Sequence, residues 1–203
     1  MMFSALRITL CAALVCVTVG GIGACAVVRS PETNYYLLRA PQPQASTMQH
    51  KGTVIPMHLR RVSLPAYLER NALVTGQANT VRVTVPQYHA WAEPLDDGIR
   101  RVLFESISPA LNSPVQLVLD ENQNPEYWLA VEILTFEGAL NGTARLQARY
   151  RIEHSSLGVL YTEDIQLQEP AGASYENLVQ AQSNLVCQLG ARISSSINAL
   201  RYR

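Results

Sequence analysis

The side chains of this chain that could supply a nucleophile, a base or a metal ligand include four histidines and four cysteines. The histidines lie far apart, at His50, His58, His89 and His154. None belongs to a hydrolase or metal-binding motif such as H-E-x-x-H or G-x-S-x-G. The adjacent carboxylates Asp96 and Asp97 would not face each other on a helix, and they fit the favourable charge at a helix N-terminus better than paired catalysis. The sequence therefore predicts no enzyme, no metal site and no cofactor site.

One cysteine has a context that predicts covalent chemistry. Cys25 follows Ile22, Gly23 and Ala24, and this order of aliphatic, small, small and cysteine resembles the bacterial lipobox. The resemblance implies cleavage before Cys25, which removes residues 1–24, and a thioether-linked diacylglycerol on the sulfur. Each buried CH2 adds about 0.8 kcal/mol of membrane affinity, so two or three acyl chains would form a durable anchor.

The segment before Cys25 has the composition of a secretory signal. Arg7 precedes an uncharged apolar run over residues 8–19, and three glycines follow before the cysteine. An alternative is that residues 8–28, which carry no charge, cross the bilayer as an anchor. Both interpretations export the rest of the chain.

The remaining chain has the composition of one domain without disulfides. Acidic and basic residues number 16 each, so no strong field would attract nucleic acid. Cys11 and Cys16 would leave with the signal and Cys25 would be acylated, which leaves Cys187 without a partner. That thiol is either incidental or covered by a partner surface. Residues 25–34 are expected to form a lipidated tether, and residues 35–203 the domain.

The sequence of the first half of the domain predicts short strands. Residues 35–38 predict one strand, and residues 53–64 predict a second that is interrupted or edged by Pro56. Residues 72–76 and 80–85 predict a hairpin, in which Val81, Val83 and Val85 alternate with polar residues.

Two helices are expected. The first begins at Pro94, which suits a first helical turn, and Arg100 and Arg101 follow the two aspartates at the favourable i+4 spacing. Its apolar stripe comprises Leu95, Ile99, Val102, Leu103 and Ile107. The second covers about 25 residues from Tyr175, with a stripe of Leu178, Ala181, Leu185, Leu189, Ile193, Ile197 and Leu200.

The region between the helices predicts long strands. Residues 126–136 and 144–153 are joined through Asn141-Gly142, a strong hairpin signal, and alternation in the second predicts one buried and one wet face. A further strand covers residues 159–167. The order of strands and helices predicts a single domain of the α/β class, α+β type, with a mixed, mostly antiparallel sheet and two main helices packed on it.

Two stretches join aromatic, apolar and turn-forming residues: L-P-A-Y-L-E-R at 64–70 and Y-H-A-W-A-E-P-L-D-D-G-I-R-R-V-L at 88–103. Aromatic side chains beside turns are common interface anchors. The partner-binding candidates are Leu64, Pro65, Tyr67, Leu68, Arg70, Trp91, Glu93, Pro94 and Leu95. The alternative is that Tyr67 and Trp91 cover the end of the core while the prolines fix the turns.

Together with the lipobox, these motifs resemble the family of ABC-type transport auxiliary lipoproteins. The family pattern L-P-x-Y-L-x-R, then L-V, then W-A-E-P-L and R-V-L is matched by residues 64–70, 73–74, 91–95 and 101–103. The resemblance implies a periplasm-facing, non-catalytic accessory of transporters with a mammalian-cell-entry (MCE) domain, which move lipids or other apolar molecules between the two membranes of a Gram-negative envelope. Its expected partners are the membrane, through the lipid anchor, and an MCE-domain protein.

Several alternatives stay open at this level. The second residue after Cys25 is Val27 and not aspartate, which by resemblance to enterobacterial sorting favours the outer membrane over the inner membrane. A different function class is a lipid-binding shuttle with its own apolar pocket. A homo-oligomer is compatible with either function.

Overall fold

The structure is a computed structural model that describes residues 31–41, 54–77, 80–112, 114–119 and 125–200. The predicted signal and Cys25 lie outside these residues, as do residues 42–53. The chain divides into two units, Met1–Glu32 and Thr33–Arg203, and the description below concerns the second. Within the described ranges, neither helix combines the length and the hydrophobicity needed to cross a membrane.

A five-stranded mixed sheet forms the centre of the domain. Its strands are β2 (Ile55–Leu59), β6 (Val115–Val118), β7 (Tyr127–Gly138), β8 (Thr143–His154) and β9 (Gly158–Pro170), in the order β6-β2-β7-β8-β9. β2 is parallel to both of its neighbours, whereas β7, β8 and β9 form a long antiparallel meander. The predicted fold class, a mixed and mostly antiparallel sheet with two helices, is confirmed.

Pro56 is tolerated in β2 because its nitrogen lies on the side of the strand where no ladder hydrogen bond is made. Ile55 N donates to Pro114 O at 2.8 Å on the β6 side, and Arg60 N donates to Leu129 O at 3.0 Å on the β7 side. In a parallel ladder successive residues bond to alternate neighbours, so Pro56 faces β7. Pairing with β7 begins only at Met57, and Pro56 therefore removes no ladder bond.

The β7–β8 hairpin follows the predicted alternation. Ala144, Leu146, Ala148, Tyr150 and Ile152 are buried. The turn has Asn141 at φ 55°, a left-handed conformation that asparagine adopts more readily than most residues. Charged side chains cover the other face, where Arg145 pairs with Glu137 at 2.6 Å and Arg149 with Asp164 at 2.7 Å.

Two helices pack against the apolar face of the sheet. They are α1 (Leu95–Ile107) and α2 (Tyr175–Ala199), and the stripes predicted for them are buried apart from the half-buried Leu200. Ser174 caps α2 by accepting a hydrogen bond from Asn177 N at 3.2 Å. The helices approach closely at Gly190, where a Cβ would lie 2.8 Å from Ser106 Cβ.

A polar network ties α2 to the edge strand β9. The Glu163 carboxylate accepts a hydrogen bond from Tyr150 Oη, one from Tyr161 Oη at 2.9 Å and one from Arg192 Nε at 2.9 Å. The bond from Tyr150 is the largest cause of a lowered pKa at Glu163. Burial, followed by the same bond, raises the pKa of Tyr150. The charged form of Glu163 therefore stabilises this packing.

Two small ribbons lie beside the main sheet. β1 (Asn34–Tyr36) pairs in parallel with β5 (His89–Trp91), and β3 (Thr75–Gly76) pairs antiparallel with β4 (Val83–Thr84). The second ribbon confirms the predicted hairpin. Its alternating valines, Val81, Val83 and Val85, are exposed.

Candidate docking cleft

The L-P-A-Y-L-E-R segment is held against the sheet at its start and in its turn. Just before it, Ser63 N donates to Val131 O at 3.0 Å, and Ile133 N donates to Ser63 O at 2.9 Å, so this residue is bonded to β7. Leu68 N then donates to Pro65 O at 2.9 Å and closes a turn. Leu68 is only 2% exposed. Burial of Leu68 anchors the turn, and the polar residues that follow it, Glu69 and Arg70, are exposed.

Backbone pairing brings the second motif next to the first. Trp91 N donates to Asn71 O at 2.6 Å, and Leu73 N donates to His89 O at 3.1 Å. The segment that follows L-P-A-Y-L-E-R thus lies antiparallel to β5, and the W-A-E-P-L motif begins at the last residue of β5. Two stretches that are about 20 residues apart in sequence meet in this way.

A cleft of about 660 Å³ lies where the two motifs meet, within the size range of ligand and peptide sites. Five of the nine candidate residues line it: Leu64, Leu68, Arg70, Pro94 and Leu95. The other lining residues are Arg61, Val62, Ser63, Glu69, Asn71 and Asp96. We call this set the docking cleft.

The cleft has an apolar floor and a charged rim. Val62, Leu68 and Leu95 are each buried, while Arg70 and Glu69 are exposed. Arg61 Nε donates to Asp96 Oδ2 at 2.7 Å across one side. The arginine side chain of this ion pair is 72% exposed, so the pair contributes little to stability.

Trp91 and Glu93 lie next to the cleft without lining it. Trp91 is 5% exposed, and its ring centroid lies 6.5 Å from that of Phe136 in the core. Glu93 accepts a 2.6 Å hydrogen bond from Arg101, which also donates to Leu38 O at 2.9 Å. The bond to Glu93 is the main cause of a raised pKa at Arg101. Arg101 therefore joins Glu93, just before α1, to the chain after β1.

Tyr67 and Pro65 are half-buried and lie outside the cleft lining. Burial raises the pKa of Tyr67, and the nearby Glu137 carboxylate adds to this rise. Tyr67 packs against the core with part of its surface accessible.

The described residues that line the cleft are suited to binding. They include no histidine and no cysteine. Within the described ranges, no group of three His, Cys, Asp or Glu side chains is arranged to hold a metal ion. An apolar floor between two arginines and two carboxylates could accept an extended peptide with an apolar side chain and charged neighbours.

The sequence did not identify the residues before the first motif. Arg61, Val62 and Ser63 line the cleft because the chain runs along β7 there, and their sequence carries no sign of that pairing. Asp96 lies in the first turn of α1, as its interpretation as helix-terminus charge predicts, and its carboxylate also accepts a 2.7 Å hydrogen bond from Arg61, which the sequence does not indicate. Cys187 is half-buried on α2, and burial raises the pKa of its thiol.

A family model and two relatives match most of the chain. Residues 36–194 match the family model described as the ABC-type transport auxiliary lipoprotein component. The chain is 24% identical to the intermembrane transport lipoprotein PqiC of Escherichia coli. The alignment extends over 171 residues and covers 82% of this chain and 87% of the relative. The protein of the same name from Shigella flexneri matches with the same identity and coverage.

Solved structures share the fold. One crystal structure of an uncharacterized protein superposes with a TM-score of 0.69 at 19% identity, covering 82% of this chain and 99% of the other. A protein from Xanthomonas campestris superposes with a TM-score of 0.58 at 14% identity, covering 82% and 92%.

Proposed function

The chain belongs to the ABC-type transport auxiliary lipoprotein family, and on this premise we propose that it is the lipid-anchored docking component of an MCE-domain transporter. In this role Cys25 holds the domain on the outer membrane, facing the periplasm. The docking cleft binds a segment of the transporter, which carries lipids or other apolar molecules across the envelope. The name of the Escherichia coli relative, an intermembrane transport lipoprotein, is in keeping with this proposal.

The observation that carries the proposal is the convergence of the two motifs. Strand pairing between residues 71–73 and β5 places five of the nine candidate residues around one cleft. The cleft lining combines charged side chains with apolar surface. Such a surface suits recognition of a protein segment.

In this proposal seven of the nine candidates have distinct roles. Leu64, Arg70 and Pro94 are accessible in the cleft and would contact the partner directly. Leu68 and Leu95 form its floor. Trp91 is buried and bonds through its backbone to Asn71, and Glu93 bonds to Arg101 of α1, so their replacement would act on binding through the fold.

A charge reversal in the cleft tests the docking role. Arg70→Glu should keep the fold, because the side chain is exposed, and should weaken copurification of the MCE-domain partner by about tenfold or more, as expected for an interface arginine. Arg149→Glu, on the charged face of the sheet, is the matched control and should bind normally. Equal binding by the two variants would place the docking surface elsewhere.

The partner itself can be identified by crosslinking. A photoreactive amino acid at position 64 should capture an MCE-domain protein in intact cells, and the same group at position 149 should not. Lipid that copurifies with the protein at close to one molecule per chain, without a captured protein, would support the lipid-shuttle alternative.

The anchor is tested separately at Cys25. Cys25→Ala should abolish labelling by a palmitate analogue and leave the signal uncleaved, and the wild-type protein should sediment with outer-membrane fractions. Equal labelling of the variant would show that the anchor lies elsewhere, and sedimentation of the wild type with inner-membrane fractions would contradict the proposed location.

A further inference from the structure

The first strand of the domain lies beside a cluster of exposed apolar residues. Asn34, at the start of β1, donates its backbone N–H to Tyr88 O at 2.8 Å. Around this point the exposed large apolar side chains are Tyr35, Val81, Val83, Val85 and Tyr88. Tyr35 is 68% exposed, and Val81 is fully exposed. We call these five residues the tether face, because the predicted tether ends at residue 34.

The tether face is continuous along the chain. Residues 81–85 include β4, only two residues lie between Val85 and Tyr88, and Tyr88 immediately precedes β5, the partner of β1. Tyr88 has φ 63°, a left-handed conformation that is unusual for an aromatic residue and often marks a functional position. The side chain of Tyr88 is 38% exposed, so its strained backbone does not serve to bury the ring.

The tether face lies toward one end of the main sheet. A Cβ at Gly76 in β3 would lie 2.9 Å from Glu137 Oε2, near the end of β7, and a surface cleft is lined both by residues of the β3–β4 hairpin and by Ala139 and Leu140 of the β7–β8 turn. The β8–β9 turn, with Leu157, is at the start of β7, since His154 and Gly158 align with Tyr127. Twelve residues of β7 at roughly 3.3 Å each separate the two ends by about 40 Å.

The length of the tether decides which end meets the membrane. Nine residues, Ala26 to Asn34, follow Cys25 in the sequence, and a chain of that length spans at most about 30–32 Å when fully extended. The start of β1 is therefore held near the bilayer. The β8–β9 turn, which also exposes apolar residues, lies too far along the sheet to share that position at the same time.

We propose that the tether face lies in the headgroup layer of the membrane to which Cys25 is attached. This inference rests on the proposed lipidation of Cys25. Tyr35 and Tyr88 have the apolar ring and polar tip that suit a membrane–water interface, and the valines can reach the acyl boundary about 5–10 Å below the headgroups. Arg82, exposed between two of the valines, can contact the phosphates of anionic lipids. The partner of this surface is thus a phospholipid bilayer, and the domain has a fixed orientation on it.

A tryptophan reporter in the full lipidated chain tests the contact. Val81→Trp is placed in vesicles of phosphatidylethanolamine and phosphatidylglycerol whose acyl chains are brominated near the carbonyl end, because bromine quenches tryptophan only at short range. Leu157→Trp, at a site that is 71% exposed, is the matched control. The wild-type chain supplies the background from Trp91 and Trp128. The added emission of Val81→Trp should fall by roughly half or more at interfacial depth, while that of Leu157→Trp should be unchanged.

The outcomes separate this proposal from the proposed function. Mass spectrometry first establishes whether Cys25 is acylated; without acylation both proposals fail. If Cys25 is acylated and the added emission of Val81→Trp is not quenched by bromine, only the membrane contact is refuted. Protection of that tryptophan from soluble acrylamide, again without bromine quenching, would identify the face as a protein interface and refute the proposal too. Val83→Trp repeats the test at a second site, in case the first substitution disturbs the hairpin.

Discussion

Replacement of Trp91 by alanine distinguishes a core tryptophan from an interface anchor. The sequence allowed both interpretations, since Trp91 lies in the W-A-E-P-L motif beside a turn. In the structure its side chain is 5% exposed and packs on Phe136, and its backbone N–H bonds to Asn71 O. Trp91→Ala keeps the backbone bond and removes the indole, so it tests the packing alone.

The size of the effect follows from the burial. Truncation of a buried tryptophan to alanine costs about 3–5 kcal/mol, which combines lost transfer free energy with the cavity left behind. A domain of this length has a free energy of unfolding of about 5–15 kcal/mol. Each kcal/mol lowers the melting temperature by roughly 2–4 °C at this size, so Trp91→Ala should melt about 6–20 °C below wild type.

Thermal unfolding followed by circular dichroism measures this shift. Trp128→Ala is the control, because Trp128 is half-buried on the other face of the sheet, where its ring lies 4.5 Å from the Arg60 guanidinium, and its loss should cost less. A melting temperature for Trp91→Ala within 2 °C of wild type, a shift of under about 1 kcal/mol, would refute the packing. If that stable variant also failed to bind the partner, Trp91 would be an interface anchor after all.

Three further predictions concern the elements that support the cleft. Gly190→Val should lower the melting temperature by an overpacking cost of about 1–3 kcal/mol, because its Cβ would collide with Ser106; Ala191→Val, exposed on the same helix, should not. Ser174→Ala should destabilise α2 by about 1 kcal/mol in urea unfolding, through loss of its N-cap bond; an unchanged midpoint would contradict the cap. Since the pKa of Glu163 is lowered in the fold, its stabilising effect is present above the pKa of an unfolded glutamate, about 4.3, and is lost as the pH falls through the folded pKa. The melting temperature of wild type should therefore fall more steeply below about pH 4.5 than that of Glu163→Gln, and parallel profiles would contradict the network.

Local periodicity predicted most of the large elements. The period of two along residues 144–152 predicted both β8 and its buried face, and the period of 3.6 from Leu178 predicted the 25 residues of α2. These predictions succeed because burial of one face leaves a repeating pattern within a single segment. The Asn141-Gly142 turn is equally local, since its backbone conformation depends on the residues of the turn itself.

The cleft could not be predicted in the same way, because it depends on non-local pairing. Nothing in residues 71–73 indicates that they pair with β5, and nothing in Ser63 indicates its bonds to β7. Ion pairs show the same limit: Arg101 follows Asp97 at a favourable spacing, yet its 2.6 Å bond goes to Glu93, which the turn before α1 brings closer. The sequence identified the motifs, and only the fold shows which of their residues face outward.

The short strand β5 connects the two proposed surfaces. Its first residue, His89, follows Tyr88 of the tether face, and its last, Trp91, opens the motif that borders the docking cleft, so about 10 Å of extended backbone separates them. β5 is held on one side by β1 and at its start by His89, which bonds to Tyr36 Oη at 2.8 Å and stacks on Tyr175 at 3.8 Å. A strand fixed in this way leaves the cleft little freedom to move relative to the tether face. A partner bound in the cleft would therefore be held at a fixed height just above the membrane, and a longer tether alone would not lift it while the tether face remained in the lipid.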